Sequence, residues 1–158
     1  MTISLQFLHN LSCLKTTSIL ICQIFCLSLN WGTLEAARTF GNLRVEKVCR
    51  VHDGDTFIAD IGDIHPLIGS QISIRIGGID SPEITDKRVE IKKLAVQARD
   101  YVAERLNHAG VIVLVNIQRD KYFRILADVH VDDCNLATEL INLGLAKPYD
   151  GGKKPQWD

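Results

Sequence analysis

The sequence predicts a mainly β domain of the α+β class, in which five short strands form a Greek-key barrel of the OB type with two to three helices. Three observations support this prediction. Five segments have the length and patterning of short strands, a long helical segment follows the third of them, and no segment repeats. A parallel sheet would require a helix between most successive strands.

The first two strands are predicted at residues 44–51 and 55–60. The dipeptide Asp53-Gly54 between them is typical of a tight turn, so the two strands should form a hairpin. Asp55 is therefore expected where the second strand starts, next to the turn.

The third strand is predicted at residues 71–76, after a loop over residues 62–70 that contains proline and glycine. Its three isoleucines alternate and share one face of the strand. Arg75 is consequently expected on the opposite face, away from the core.

Residues 90–106 carry apolar side chains at spacings of three and four, which predicts an amphipathic helix packed on the sheet. Strands are predicted at 111–117 and 122–131, and a shorter helix at 135–143 that ends before Gly144. The tail, residues 148–158, is rich in Gly, Lys and Pro and is expected to be loose.

The first 37 residues differ from the rest of the chain. Ser18 to Leu29 is almost entirely apolar and follows Lys15, as in the central region of a secretory signal peptide. We expect residues 1–37 to be a signal peptide or hydrophobic leader, residues 38–158 to be the folded domain, and the protein to be periplasmic or extracellular. An uncleaved membrane anchor and a wrongly assigned start codon remain open.

Length and charge limit the possible functions. A chain of 158 residues accommodates one domain with a substantial core, and its 46% hydrophobic content is ordinary for a globular protein. Its net charge of −1 argues against a broad basic surface for nucleic acid. Any contact with a polyanion should be local. No pattern indicates assembly, so we expect a monomer without a stable protein partner.

Only Cys49 and Cys134 lie outside the leader, and their separation does not match a zinc site. A disulfide remains open, but two unpaired thiols, one of them buried in a strand, are favoured. The histidines also lack metal-site spacing and are interpreted as structural or surface residues: His52, His65, His108 and His130.

Acidic residues concentrate in two short motifs, with Asp53 and Asp55 in one and Asp80 and Glu83 in the other. Oxygen ligands from separate loops suit Ca²⁺ or Mg²⁺. Each motif also has a structural interpretation. The first could simply be a hairpin turn, and in the second Ser81 could cap the following helix.

Arginines accompany these carboxylates. Arg75 precedes Asp80 by five residues, and Arg124 is expected near the start of a later strand. A divalent cation bound by the carboxylates, next to a phosphodiester bound by the arginines, would explain why both kinds of charge occur together. A surface salt-bridge network is the alternative. Two basic pairs, Lys87-Arg88 and Lys92-Lys93, could contact nucleic acid or form a solvated helix face.

Four ordered motifs then resemble one known family, the staphylococcal-nuclease-like or thermonuclease family. The resemblance covers about Val45 to Tyr149 and places the family domain within residues 38–158. It rests on these motifs: DGDT (53–56), RIGGIDSPE (75–83), DKYFR (120–124) and NLGLAKPY (142–149).

The resemblance implies an OB-fold barrel and a Ca²⁺ ion held by Asp55, Asp80 and the backbone carbonyl of Ser81. The family more often has Thr at this last position, which should not matter for a main-chain ligand. Asp53 is interpreted as forming the turn or supporting the metal ligands.

The resemblance also implies that Glu83 is the general base and that Arg75 and Arg124 grip the phosphate. These roles agree with the chemistry, because attack on a phosphodiester builds negative charge that preorganised cations stabilise. Lys121 and Tyr122 are expected to bind substrate, Tyr122 by stacking on a base. A strand aromatic packed on the barrel is the alternative for Tyr122.

The family implies a nuclease acting on DNA, RNA or both, with low sequence specificity and 3′-phosphate products. One departure is Phe123, where the best-known member has Gly. Two other classes remain open: a non-catalytic OB-fold module that binds nucleic acid or protein, and a membrane-tethered adaptor. The enzyme is favoured because the carboxylates and arginines of the site are all present: Asp55, Asp80, Glu83, Arg75 and Arg124.

Overall fold

The computed structural model describes residues 40–157. The predicted leader, residues 1–37, lies outside this range, so the division between residues 37 and 38 stays a prediction. Among the described residues, no helix has both the length and the apolar character that crossing a membrane requires.

Eight strands and three helices make up the described part of the chain. The strands are β1 (Leu43–Val51), β2 (Thr56–Ile61), β3 (Ile72–Ile76), β4 (Ile79–Asp80), β5 (Ile112–Arg119), β6 (Ile125–Val131), β7 (Cys134–Asn135) and β8 (Lys147–Pro148). The helices are α1 (Pro66–Gly69), α2 (Val89–Asn107) and α3 (Leu136–Asn142). The five longer strands correspond to the five that the sequence predicts.

Those five strands form a closed barrel. The order along the sheet is β3-β2-β1-β5-β6-β7, and β3 also pairs in parallel with β6, which joins the two sides. In this closing pair Arg75 lies opposite Leu126. The separate β4 and β8 form a two-stranded antiparallel pair. The mixed, closed barrel with helices confirms the predicted OB-type architecture.

The core lies inside the barrel and under the helices. The isoleucine face of β3 points inward, with Ile74 and Ile76 fully buried. Helix α2 buries five residues at spacings of three and four, as the apolar period predicts: Ile91, Ala95, Ala98, Val102 and Leu106. Its packing fixes the loop that precedes it, residues 81–88, which carries part of the candidate site.

The cysteine prediction is half right. Cys49 and Cys134 are both free, but both are exposed, so the expectation that one thiol is buried was wrong. The pairing of β1 with β2 has register shifts between Val45 and Lys47 and between Val48 and Arg50. Such irregularities break the simple inward and outward alternation from which burial is predicted.

Candidate functional site

The turn before β2 brings the two acidic motifs together. Oδ1 of Asp53 accepts a hydrogen bond from the backbone N–H of Asp55 at 3.1 Å and so shapes the turn, as predicted. A Cβ on Gly54 would lie 2.7 Å from Ala98 and 2.9 Å from Ser81, so only glycine fits there. Burial, together with the charge of Asp55, raises the pKa of Asp53 to about 6.

Asp55 is buried and fully engaged. Its Oδ1 accepts hydrogen bonds from Thr56 Oγ1 at 2.8 Å and from Arg75 Nη1 at 2.5 Å. Its Oδ2 accepts one from the backbone N–H of Ser81 at 3.1 Å. The predicted metal ligands Asp55 and Ser81 are therefore direct neighbours, although 26 residues separate them along the chain.

Asp80 lies on β4 and is only 2% exposed. Its Oδ1 accepts no hydrogen bond within the described residues. Arg75 Nη2 at 3.6 Å and Lys154 Nζ at 3.3 Å attract it by charge alone. Arg75 thus bridges the two predicted carboxylate ligands, and a buried carboxylate oxygen remains without a donor.

The interpretation of Ser81 as a helix cap was wrong. Helix α2 begins at Val89, and its N-cap is Arg88, seven residues beyond Ser81. The segment after Asp80 is instead an irregular loop that carries Glu83, whose side chain is 60% exposed. Oε1 of Glu83 lies 2.8 Å from Lys154 Nζ.

Arg124 reaches the site from the other side of the cleft. Its Nε donates to Asp120 Oδ2 at 2.7 Å, and its Nη1 donates to Thr56 Oγ1 at 3.4 Å. Burial favours a raised pKa for Asp120, but the hydrogen bonds from Arg124 outweigh it and leave this pKa below its usual value. Asp120 therefore fixes the orientation of the Arg124 side chain. The sequence analysis assigned it no role.

Tyr122 lies in the turn before β6. The sequence places this strand from residue 122, but it begins only at Ile125, because a backbone hydrogen bond from Phe123 to Asp120 closes a turn. Tyr122 is 67% exposed, so its interpretation as a strand aromatic packed on the barrel was wrong. The Arg124 guanidinium lies 5.5 Å and Lys121 Nζ 5.0 Å from its ring centroid.

Phe123 is backbone-strained. Its φ is 64°, in the left-handed region that glycine adopts readily and a bulky residue does not. Its side chain is 79% exposed, so core packing does not offset the strain. The family resemblance predicts glycine at this position, and the backbone conformation here favours glycine.

These groups line one cleft of about 740 Å³. Its walls include all the predicted site residues except Asp80, whose neighbours Ile79 and Ser81 line it. The pairs Lys87-Arg88 and Lys92-Lys93 do not contribute to the walls within residues 40–157. Their predicted contact with nucleic acid at the site gains no support.

The structure adds residues from the tail that the sequence reading missed. Lys154 and Tyr149 line the cleft, and Trp157 Nε1 donates to Asp80 Oδ2 at 3.4 Å. The tail lacks regular structure after β8 but docks on Asp80 and the loop that carries Glu83, residues 80–88, which we call the acidic loop. The expectation that the tail is loose was therefore wrong. A tryptophan in an otherwise polar tail was the available sequence signal for this contact.

The residues present suit a hard divalent cation. The buried, donor-free Oδ1 of Asp80 and the carboxylate of Asp55 are oxygen ligands of the kind Ca²⁺ prefers. Within residues 40–157 no three His, Cys, Asp or Glu side chains converge as a metal site. The predicted set contains only two such side chains, Asp55 and Asp80, together with the backbone carbonyl of Ser81, and it stays a prediction.

The comparisons identify the class of protein. The family model described as "Staphylococcal nuclease homologue" matches residues 73–157, and the chain belongs to this family. The match contains Arg75, Asp80, Glu83 and Arg124, and it begins after Asp55. The predicted resemblance is therefore confirmed.

Individual relatives agree with that assignment. The chain is 30% identical over 135 residues to the thermonuclease of Staphylococcus hyicus, which covers 82% of the chain and 73% of the relative. It is 30% identical to "Probable endonuclease LCL3" of Leptosphaeria maculans, over 51% of the chain and 28% of that protein. It is 27% identical to "Probable endonuclease C19F8.04c" of Schizosaccharomyces pombe, over 54% and 40%.

Proposed function

We propose that this protein is a Ca²⁺-dependent nuclease that hydrolyses phosphodiester bonds of DNA, RNA or both with low sequence specificity. Relatives named as nucleases support hydrolysis of nucleic acid. The observation that carries the proposal is the convergence of two buried carboxylates and two arginines on one cleft. Such a site matches a phosphate group and a divalent cation together.

Asp55, Asp80 and the backbone carbonyl of Ser81 would hold the ion. When bound, Ca²⁺ supplies positive charge that polarises the phosphate and the attacking water. Ser81 fits this role because its N–H already ties it to Asp55, which holds the two loops at one place.

Arg75 and Arg124 would bind the non-bridging phosphate oxygens. Among residues 40–157, Nε of Arg75 and Nη2 of Arg124 donate to no protein acceptor. Each of the other guanidinium nitrogens makes one hydrogen bond, to Asp55, Ile79, Asp120 or Thr56. The guanidinium groups are thus held in place with donors available. Fixed donors of this kind stabilise the negative charge that develops in the transition state.

Glu83 would accept a proton from the attacking water as the new P–O bond forms. The bond to the 5′ oxygen then breaks, this oxygen takes a proton from solvent, and a 3′-phosphate remains. The exposure of Glu83 in the cleft suits a group that contacts water and substrate, and a base at this place would contribute about 10²–10⁴-fold to the rate.

Tyr122 and Lys121 would hold the nucleotide. The exposed ring of Tyr122 offers a stacking surface for any base, and Lys121 adds a cation beside it. Stacking does not distinguish the edges of bases, so this mode of binding supports low sequence specificity.

The test measures release of acid-soluble nucleotide from single-stranded DNA and from RNA, with Ca²⁺ or with EDTA. We expect Ca²⁺-dependent release that falls by at least about 10²-fold in Glu83→Gln. Glu90→Gln is the matched control, because Glu90 lies on the exposed face of α2 and its one ion pair within residues 40–157 is with Lys93. Absence of cleavage by the folded wild type would favour the non-catalytic binding module.

We also propose that residues 1–37 direct export to the periplasm or the extracellular space and that the domain acts as a monomer. The apolar segment Ser18 to Leu29 supports the first proposal. Cell fractionation with N-terminal sequencing tests it. We expect a secreted protein without this segment, whereas its retention in a membrane fraction would indicate an anchor.

A further inference from the structure

The C-terminal tail places a cation on the acidic loop. Lys154 Nζ lies 2.8 Å from Oε1 of Glu83 and 3.3 Å from Oδ1 of Asp80. The ammonium group thus lies between a predicted metal ligand and the predicted base.

The charges of this region do not balance. The carboxylates of Asp55, Asp80 and Glu83 face the two cations Arg75 and Lys154, which leaves one negative charge uncompensated. Exchange of the single charge of Lys154 for the two charges of Ca²⁺ would neutralise the group. Oδ1 of Asp80 agrees with this preference, because Lys154 Nζ at 3.3 Å and Arg75 Nη2 at 3.6 Å lie near it while it accepts no hydrogen bond from residues 40–157.

Lys154 belongs to an exposed segment of the tail. Residues 150–154 are all exposed and have no helix or strand structure. The contacts that hold the end of the tail involve Gln156 and Trp157 instead: Trp157 Nε1 donates to Asp80 Oδ2 at 3.4 Å, the backbone oxygen of Trp157 accepts from Arg88 Nη1, and that of Gln156 accepts from Lys147 Nζ at 2.6 Å. Withdrawal of Lys154 therefore disturbs no core packing.

We propose that Lys154 is a positioning residue that occupies the cation position at Asp80 and Glu83 until Ca²⁺ displaces it. The inference rests on the proposed Ca²⁺ site. It makes the tail an internal competitor that lowers the apparent affinity for Ca²⁺. Metal binding and undocking of the tail are then one coupled event.

Calorimetric titration of the full chain with Ca²⁺ measures the competition. Removal of a unit charge a few ångströms from the ion should tighten binding about tenfold in Lys154→Met, and equally in Lys154→Gln. Lys154→Arg, which keeps the charge, should remain within about threefold of the wild type. Lys153→Met is the matched control and should change nothing, because Lys153 makes no ion pair within residues 40–157.

Quenching of Trp157 fluorescence by acrylamide follows the tail directly, in a Trp31→Phe background that leaves Trp157 as the single tryptophan. Ca²⁺ should increase quenching about twofold in this protein. In Lys154→Met, quenching should be high before Ca²⁺ is added.

The outcomes separate the two proposals. If the wild type binds Ca²⁺ and neither Lys154→Met nor Lys154→Gln binds it more tightly, the proposed role of Lys154 is overturned. The proposed nuclease site is not affected by that result. Unchanged Trp157 quenching on Ca²⁺ binding overturns the coupling to the tail. Wild type that binds no Ca²⁺ overturns the metal site and this inference together.

Discussion

Two clusters of charged side chains differ in how fully their polar groups are hydrogen-bonded within the protein. Where α2 meets α3, Arg105 forms two hydrogen bonds of 3.0 Å with the carboxylate of Glu139, and Tyr101 adds a third at 2.9 Å. In the cleft, Asp80 Oδ1 is buried and accepts no hydrogen bond from residues 40–157. The first cluster pairs its polar groups within the described part of the chain, whereas the second leaves one acceptor without a hydrogen bond there.

This difference separates ion pairs that join elements of the fold from ion pairs of the candidate site. The closed cluster joins two helices, and the hydrogen bond from Arg105 holds the pKa of Glu139 below its usual value. The cleft instead keeps unused donors on its arginines and an unused acceptor on Asp80. Ion pairs alone are therefore a weak sign of function, whereas unsatisfied partners in a cleft are a stronger one.

The largest expected contrast concerns an arginine from each region. Arg124→Lys loses the planar fork that meets phosphate, so we expect kcat/KM on single-stranded DNA to fall about 10²–10³-fold with little change in stability. Arg105→Lys should leave kcat/KM within about twofold but lower the free energy of unfolding by about 1–2 kcal/mol. Urea denaturation and initial rates measure both quantities. Equal losses of activity would remove the distinction between the clusters.

The carboxylates provide a smaller contrast, in stability. Glu139→Gln should lower the free energy of unfolding by about 1–2 kcal/mol at pH 7, because a partly buried charged pair is broken. The folded-state pKa of Glu139 is lowered, so its contribution is present above the unfolded-state value of about 4.5 and is lost as the pH falls through the folded-state pKa.

Urea denaturation at pH 7 and at pH 2.5 measures this prediction. The difference between wild type and Glu139→Gln should shrink at the lower pH. Glu83→Gln is the comparison from the cleft, and it should change stability little because Glu83 is 60% exposed. A larger effect for Glu83→Gln than for Glu139→Gln would reverse the assignment of the two clusters.

The smallest expected effect concerns backbone strain in turns of the two regions. Phe123 has φ 64° in the turn that presents Tyr122, and Asp133 has φ 68° in the turn between β6 and β7. Phe123→Gly should raise the free energy of unfolding by about 0.5–1 kcal/mol, since glycine accepts this conformation. Asp133→Gly should gain less, because aspartate tolerates the left-handed region better. No gain for Phe123→Gly would show that its side chain stabilises the turn.

Much of the fold was predictable because its signals are local. The apolar period predicted α2 to within one residue at each end, and the alternation of isoleucines placed Arg75 on the outward face of β3. The two acidic motifs were also found from short patterns and turn residues. Their roles came from the resemblance, and those roles remain predictions.

The rest depends on contacts that have no local signal. Lys154 meets Glu83 across 71 residues, and β4 and β8 contain only two residues each, too few to show a period. Asp120 could not be connected with Arg124 because a turn, not a strand, brings them together. Irregularities in β1 likewise removed the alternation that would have shown Cys49 to be exposed.

The parallel pairing of β3 with β6 has a consequence for partly folded chains. Arg75 lies on β3 and Arg124 immediately precedes β6, so the strands that carry them become neighbours only when the sheet closes on itself. An open sheet could contain every other strand contact and still keep the two arginines apart. If they act together as proposed, activity in a refolding experiment should appear with barrel closure, and a chain cut between β3 and β6 should recover it only when its two pieces reassociate.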